Sequence, residues 1–383
     1  MQIHPEVSSL FSDCVAHRQN LHRIPETGFM EHKTRGYILD ALSKYEPDSV
    51  QVIAQTGVKA VFYGKDPTMT IAFRADMDGL ETHELCDTPY RSTHPGRMHC
   101  CGHDGHMTIL LLLASLIHKF RHQLKVNVVL IFQPAEEGKG GAIRMIEDGA
   151  LKDPDVNIIY GMHLWPEVPK GKISVRWGPM MAKTCEFDVS VHGVSAHGAS
   201  PQLGADAVVA AAAFISLLQT AITRNLDPHQ DALLTIGKIK GGIARNIIAD
   251  HVDMNATLRV FSDEVYDQLM SRLRAMAEGV TLATGTKIKI TELLNYPCVD
   301  NPRDLVEDFY RFVDAEDRMI AEPVMAAEDF SFYQHEVPGL FLFLGAAGGK
   351  NTAPLHNSLF DFDEDALLNG VEFYRRLLGL CGE

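Results

Sequence analysis

The chain has 383 residues, 46% hydrophobic and 22% charged, the balance of a soluble globular protein of one large domain or two ordinary ones. A formal net charge of −15 argues against nucleic acid and anionic membranes as partners. Seven scattered cysteines, an odd number, exclude a closed disulfide framework and suit reduced thiols in a cytoplasmic protein; the start, Met1-Gln2-Ile3-His4-Pro5-Glu6, shows no export signal.

Val7, Leu10, Phe11, Cys14 and Val15 recur near helical spacing and predict an amphipathic helix over residues 6–24. A loop, His22-Arg23-Ile24-Pro25-Glu26-Thr27-Gly28, leads to a second helix over 31–44. Buried strands are expected at Thr70 to Asp76, Val126 to Phe132 and Asn157 to His163, separated by helices over 105–121 and 140–149. The apolar run Ile109 to Ile117 is too short to span a bilayer. Strands that alternate with helices and end in polar residues predict an α/β fold with parallel strands, and a ligand beyond their carboxyl ends.

The pattern changes near residue 183. A strand (Thr184 to His192), a helix (Leu203 to Thr223), two strands (Ala232 to Ile239, His251 to Val260), a helix opened by Ser262 and a strand (Thr286 to Leu293) follow in turn. The order β-α-β-β-α-β is the ferredoxin-like split arrangement. It predicts an inserted domain at 183–294 within a domain formed by 1–182 and 295–383. Gly339 to Leu344 reads as a strand, and Asp361 or Asp363 as the cap of a last helix running to about 379.

Four stretches carry metal-type ligands. Met98-His99-Cys100-Cys101-Gly102-His103-Asp104-Gly105-His106-Met107 gathers thiols, imidazoles and a carboxylate in a loop that feeds a helix, the ligand set of zinc and its neighbours. Gln133-Pro134-Ala135-Glu136-Glu137-Gly138 places two carboxylates just after a strand. In extended chain they would point opposite ways, one to metal and one to substrate. The others are Gly161-Met162-His163-Leu164-Trp165-Pro166 and Pro354-Leu355-His356-Asn357-Ser358. Taken alone, a histidine ending a buried strand is more often a satisfied core residue, and one before a helix carries little signal.

Together and in this order, these stretches resemble the signatures of the di-metal aminoacylase/carboxypeptidase family of metallopeptidases, in its amidohydrolase branch. Arg74-Ala75-Asp76-Met77-Asp78-Gly79-Leu80, His22-Arg23-Ile24-Pro25-Glu26 and Gly193-Val194-Ser195-Ala196-His197-Gly198 fit that branch as well. The resemblance implies a phosphorylase/hydrolase-like di-metal catalytic domain with an inserted lid and dimerisation domain. It implies two divalent ions per subunit, Mn, Zn or Co, held by Cys101, His103, Glu137, His163 and His356, with Cys101 as a bridging thiolate. Glu136 would be the general base on metal-bound water, with Asp76 tuning the site and His197 stabilising the oxyanion. Asn246 and Arg259 would hold the α-carboxylate of a small N-acyl amino acid, acetyl or hippurate-like. A homodimer or homotetramer through the inserted domain is implied. A dipeptidase or carboxypeptidase of the same family, and a binding homologue without catalysis, are the alternatives. The chain departs from the family at Cys100, where Ala is usual, at Gln202, where His is common, and at Ala249, where Pro is usual; these departures bear on substrate preference.

Overall fold

The computed structural model describes residues 1–348 and 353–381. The chain divides into two compact units: Met1–Met180 with Asp300–Glu322 and Asp329–Glu383, and Met181–Val299 with Pro323–Glu328.

The first unit is built on an eight-stranded sheet. Four parallel strands form its centre, in the order Asn127–Gln133, Thr70–Asp76, Ile158–Pro169, Gly339–Ala347. Every residue of Thr70–Asp76 is buried. A strand covered on both faces needs apolar residues at successive positions, so these segments read as continuous apolar runs without alternation. The helices Phe11–His22, His103–Lys119 and Ala366–Leu378 supply much of the core against this sheet.

The sheet is mixed, not purely parallel. Ser49–Ile53 and Gly57–Phe62 form an antiparallel hairpin whose second strand pairs antiparallel with Asn127–Gln133. The hairpin turns through Ala54 and Gln55, both at positive φ, residue types that give no turn signal in sequence. The single helix expected over 6–24 is two, Pro5–Ser8 and Phe11–His22, the first capped by His4, whose Nδ1 accepts from the Glu6 N–H. The last helix starts after Asp365, not at Asp361 or Asp363. Asp361 is engaged instead by Arg18 and Tyr90, and Asp363 by Lys170.

The second unit is a four-stranded antiparallel sheet in the order Lys287–Tyr296, Lys183–His192, His251–Val260, Ala232–Gly241, with helices Ala207–Asn225 and Asp263–Thr284. The two central strands alternate, burying Phe187, Val189, Val191, Val252, Met254 and Leu258 with the apolar rows of both helices. Ser262 caps the second helix as expected. The first starts at Ala207 and not Leu203, because the Asp206 side chain accepts from the Val208 and Val209 N–H groups there. Ala207–Asn225 is long and apolar enough to cross a membrane by length and composition, but its Ala207, Ala210, Ala211, Phe214, Leu218 and Ala221 are buried in this unit's core. Residue 294, an expected boundary, lies inside the strand Lys287–Tyr296.

Candidate metal centre

Parallel neighbours deliver the polar residues to one edge of the first unit's sheet. Asp76 ends one strand opposite Gln133, which ends the next, three residues before Glu136. His163 lies on the following strand, in register with Phe343. The Cys100–His103 loop enters through a bridge between Leu80 and Met98. It leaves through Gly102, whose φ of +87° starts the helix His103–Lys119 with a backbone that side chains rarely adopt.

All five expected metal ligands converge. Cys101 Sγ lies 3.4 Å from His163 Nε2 and 3.2 Å from His356 Nε2, and His356 Nε2 lies 3.1 Å from Glu137 Oε1. One ligand atom each from Cys101, Glu137 and His356 fall within 4.8 Å of one another, as do those of His103, Glu136 and Glu137. A third group on the same criterion joins Asp76, His103, His106 and His163.

The surrounding hydrogen bonds set which nitrogen of each ring faces the centre. His103 Nδ1 donates to the Asp78 carbonyl at 2.9 Å, so Nε2 is the atom that faces the centre. That Nε2 is buried, has no hydrogen-bond partner among the described residues and stands 3.7 Å from Asp76 Oδ2. His163 Nδ1 donates to the Leu164 carbonyl at 2.7 Å, so its Nε2 faces Cys101. His106 differs. Its Nε2 accepts from the Leu164 N–H at 2.8 Å, and its Nδ1 donates to Asp76 Oδ1 at 2.6 Å. Both nitrogens are therefore used inside the protein. Arg74 is buried among Asp76 (2.7 Å), Asp329 (2.8 Å) and Gln133 (2.9 Å).

A cation fits this donor set. Burial disfavours the charged His103 ring, yet Asp76, Asp78 and Glu137 overcome it and push its pKa up to about 10. Burial, with Glu137, Glu136 and Asp76, drives the Cys101 thiol well above its ordinary range, so a thiolate here needs a positive charge beside it. Burial and His106 hold His163 well below its ordinary value, in the neutral form that ligates. Burial opposes the Asp76 carboxylate, but His103, His106 and Arg74 hold its pKa well below the usual range. Thiol, imidazole and carboxylate donors around surplus negative charge are what a divalent ion requires.

One expectation changes. Glu136 and Glu137 are not in extended chain. Ala135, at φ +57°, bends the backbone into an irregular turn over Glu136–Lys139, in which Gly138 also takes a positive φ, and both carboxylates reach the cluster containing His103. The sequence pattern assigns no role to His106, Asp78 or Glu31, yet each contacts a segment that carries a ligand. His106 follows His103 by three positions on one helix, which puts both rings on one face.

His197, Asn246 and Arg259 lie in the second unit. The His197 and Asn246 motifs meet there, where the Gly198 N–H donates to the Asn246 carbonyl at 2.7 Å and His197 forms a bridge with Ile247. Both residues are exposed. Arg259 is half-buried and donates to the Met325 carbonyl at 2.7 Å, so part of its guanidinium serves the fold.

Comparison with known proteins matches residues 72–379 to the model of peptidase family M20/M25/M40. The chain is 38% identical over 361 residues to an N-acetyldiaminopimelate deacetylase of Bacillus velezensis, covering 93% of this chain and 95% of that protein. It is 38% identical over 364 residues to the enzyme of the same name from Bacillus subtilis, covering 94% and 96%. Among solved structures it resembles the Bacillus subtilis YXEP protein, described as a dinuclear metal binding peptidase from the M20 family. The TM-score is 0.85 and the identity 30%, over 97% of this chain and 98% of that one.

Proposed function

The chain belongs to peptidase family M20/M25/M40, and on that premise we propose that it is a metal-dependent amidohydrolase that cleaves N-acyl amino acids to a free amino acid and a carboxylic acid. The observation that carries this reading is the convergence of Cys101, His103, Glu137, His163 and His356 around one locus, with Glu136 beside it.

Those five residues would hold two divalent ions, Mn, Zn or Co, with Cys101 contributing its thiolate. When bound, the ions supply Lewis acidity toward the scissile carbonyl and the attacking water. Glu136 takes the proton from that water and passes it to the leaving nitrogen. Asp76 fixes the His106 ring and holds a negative charge near His103. To His197 we assign a hydrogen bond to the oxyanion, and to Asn246 and Arg259 the substrate α-carboxylate; these roles rest on the motif resemblance.

The relatives' activity favours an acetyl group, and N-acetyldiaminopimelate is the first substrate to try. We read the second unit as a ferredoxin-like lid and dimerisation module. Exposed Val208, Val209, Ala212, Ala213, Ser216 and Leu217 give its first helix an uncharged outward face suited to a second copy of the chain, which supports a homodimer. Seven free thiols support a reducing, cytoplasmic setting.

The experiment is a panel of N-acetyl amino acids including N-acetyldiaminopimelate, hippurate and unblocked dipeptides, assayed with each metal. Turnover of N-acyl amino acids is expected. Turnover of the dipeptides alone would replace this reading with a dipeptidase.

A further inference from the structure

The segment that carries both carboxylates of the proposed centre is held by its backbone. Three consecutive amides, those of Ala135, Glu136 and Glu137, point at buried carboxylates. The Ala135 N–H donates to Glu31 Oε1 at 3.0 Å. The Glu136 N–H donates to Asp78 Oδ1 and the Glu137 N–H to Asp78 Oδ2, each at 3.1 Å. With Ala135 in the left-handed region, successive N–H groups converge into an anion-binding nest, and the anion is the protein's own Asp78.

Asp78 also reaches the other ligand loop. Its carbonyl accepts from His103 Nδ1 at 2.9 Å, the bond that turns His103 Nε2 toward the centre. One residue therefore touches His103, Glu136 and Glu137, which come from two separate loops. Its own place is fixed. Asp78 is 2% exposed. The next residue, Gly79, donates its N–H to the Glu26 carbonyl at 2.7 Å, and a Cβ on Gly79 would fall 2.8 Å from Pro25 Cβ. The Glu26 carboxylate in turn caps the helix His32–Ser43 by accepting from the Lys33 and Thr34 N–H groups at 2.8 and 3.0 Å. Leu80 is locked to Met98 by a two-way backbone bridge. The His22 to Glu26 stretch thus acts on the centre through Asp78.

We infer that Asp78 is a positioning residue that sets ion affinity at the centre and the aim of Glu136, by holding the Glu136-Glu137 turn with its carboxylate and His103 with its carbonyl. The inference rests on the function proposed above for Glu136, but its contacts with Glu137 and His103 stand without it. Replacing Asp78 by Asn removes the charge and one of two acceptors while keeping the shape and the carbonyl. The Glu137 N–H then faces an amide nitrogen that cannot accept.

The test measures ion affinity by chelator competition, using Zn and Mn, together with kcat and KM on an N-acetyl amino acid. In D78N, ion affinity should fall about 10–100-fold, the range for partners of metal ligands. kcat should fall with it while KM stays near the wild-type value, and Asp78→Glu, which restores the charge, should recover part of the affinity. A folded D78N with wild-type ion affinity and kcat overturns the inference, even if it melts earlier. A second measurement needs no variant: hydrogen exchange of the 133–138 segment in the metal-free wild-type protein. Slow exchange is expected, because the amides are held before any ion binds, and fast exchange there overturns the inference. Ion affinity and exchange do not involve substrate, so a protein that passes both yet hydrolyses no N-acyl amino acid would count against the proposed function alone.

Discussion

His106 Nδ1 and Asp76 Oδ1 meet at 2.6 Å, and that contact decides which histidine of the pair on this helix can ligate. Because His106 Nε2 accepts from the Leu164 N–H, Nδ1 carries the proton and donates to Asp76. No lone pair remains for a metal. His103, three residues earlier, is arranged the opposite way, with Nδ1 donating to a carbonyl and Nε2 toward the centre. His106→Ala should therefore keep both ions while lowering the melting temperature. It leaves a buried N–H and a carboxylate oxygen without partners, at about 1–3 kcal/mol each. Elemental analysis that finds fewer than two ions in this variant would make His106 a ligand after all.

Cys101 stands between His163 and His356, at 3.4 and 3.2 Å, where one sulfur can serve two ions. Cys101→Ala should lower metal content and activity together. Two ions still tightly bound in that variant would remove Cys101 from the bridging position.

Glu136 and Glu137 sit in one turn but are assigned different work. Glu136→Gln keeps the shape and removes the proton acceptor, so kcat should fall by roughly 10²–10⁴-fold with metal retained. Glu137→Gln should lose metal, because Glu137 reaches both Cys101 and His356. The opposite pattern, measured by metal content and kcat on the same two variants, would exchange the roles.

The sequence shows a feature only where its residues are unusual in chemistry or in pattern. Continuous apolar runs marked the central strands because both faces are covered, and the ligand residues stood out as unusual chemistry at strand ends. The Ser49–Phe62 hairpin left no such mark, since its turn is made by Ala54 and Gln55 and not by Gly or Asn. The conformation of the Glu136-Glu137 turn was hidden for a related reason: its left-handed residue is Ala135. Asp78 was in view within Arg74 to Leu80, but its role depends on amides more than fifty residues away, and backbone donors have no sequence signature. The last helix starts after Asp365 without a side-chain cap, and Asp361, the expected cap, is held by Arg18, a buried residue far away in sequence.

Glu372 ties the start of the chain to the last helix, and its loss should be visible in the acid stability of the protein. It is 1% exposed and accepts from Arg375 at 2.9 and 3.0 Å, from Arg376 at 2.8 Å and from the His4 N–H at 3.1 Å. Burial disfavours its charge, but the hydrogen bonds from Arg375 and Arg376 hold its pKa below the ordinary value. A carboxylate with a depressed folded pKa contributes stability that is present above its unfolded value, about 4.3, and is lost as pH falls through the folded value. Glu372→Gln should cost about 3 kcal/mol near neutral pH, because buried Arg375 loses its counter-charge. The difference from wild type should shrink below about pH 4. Denaturation curves that keep the same gap from pH 7 to pH 3 would show that the charge of Glu372 is not what stabilises this contact.

The proposed substrate keeps a free α-carboxylate on its leaving amino acid, and this can be tested without knowing the acyl group. The metal ligands and Glu136 act at the amide carbonyl and say nothing about the rest of the molecule. Selectivity for amino acids must come from a group that recognises a carboxylate. Asn246 is exposed in the second unit, on a segment pinned to the His197 loop, and Arg259 is a cation on the strand that follows. A charge-assisted contact to a carboxylate contributes about 1.5–3 kcal/mol. Blocking the carboxylate as a methyl ester should therefore lower kcat/KM by roughly ten- to a hundredfold, at about 1.4 kcal/mol per factor of ten. Asn246→Ala and Arg259→Ala should each reduce turnover of the free acid and leave the ester nearly unchanged, since the ester has no charge to lose. The Met325 contact gives Arg259 a share in folding as well, so Asn246→Ala is the cleaner of the two. Equal turnover of an N-acetyl amino acid and its methyl ester by the wild-type enzyme would remove the carboxylate anchor and leave a broader amidase.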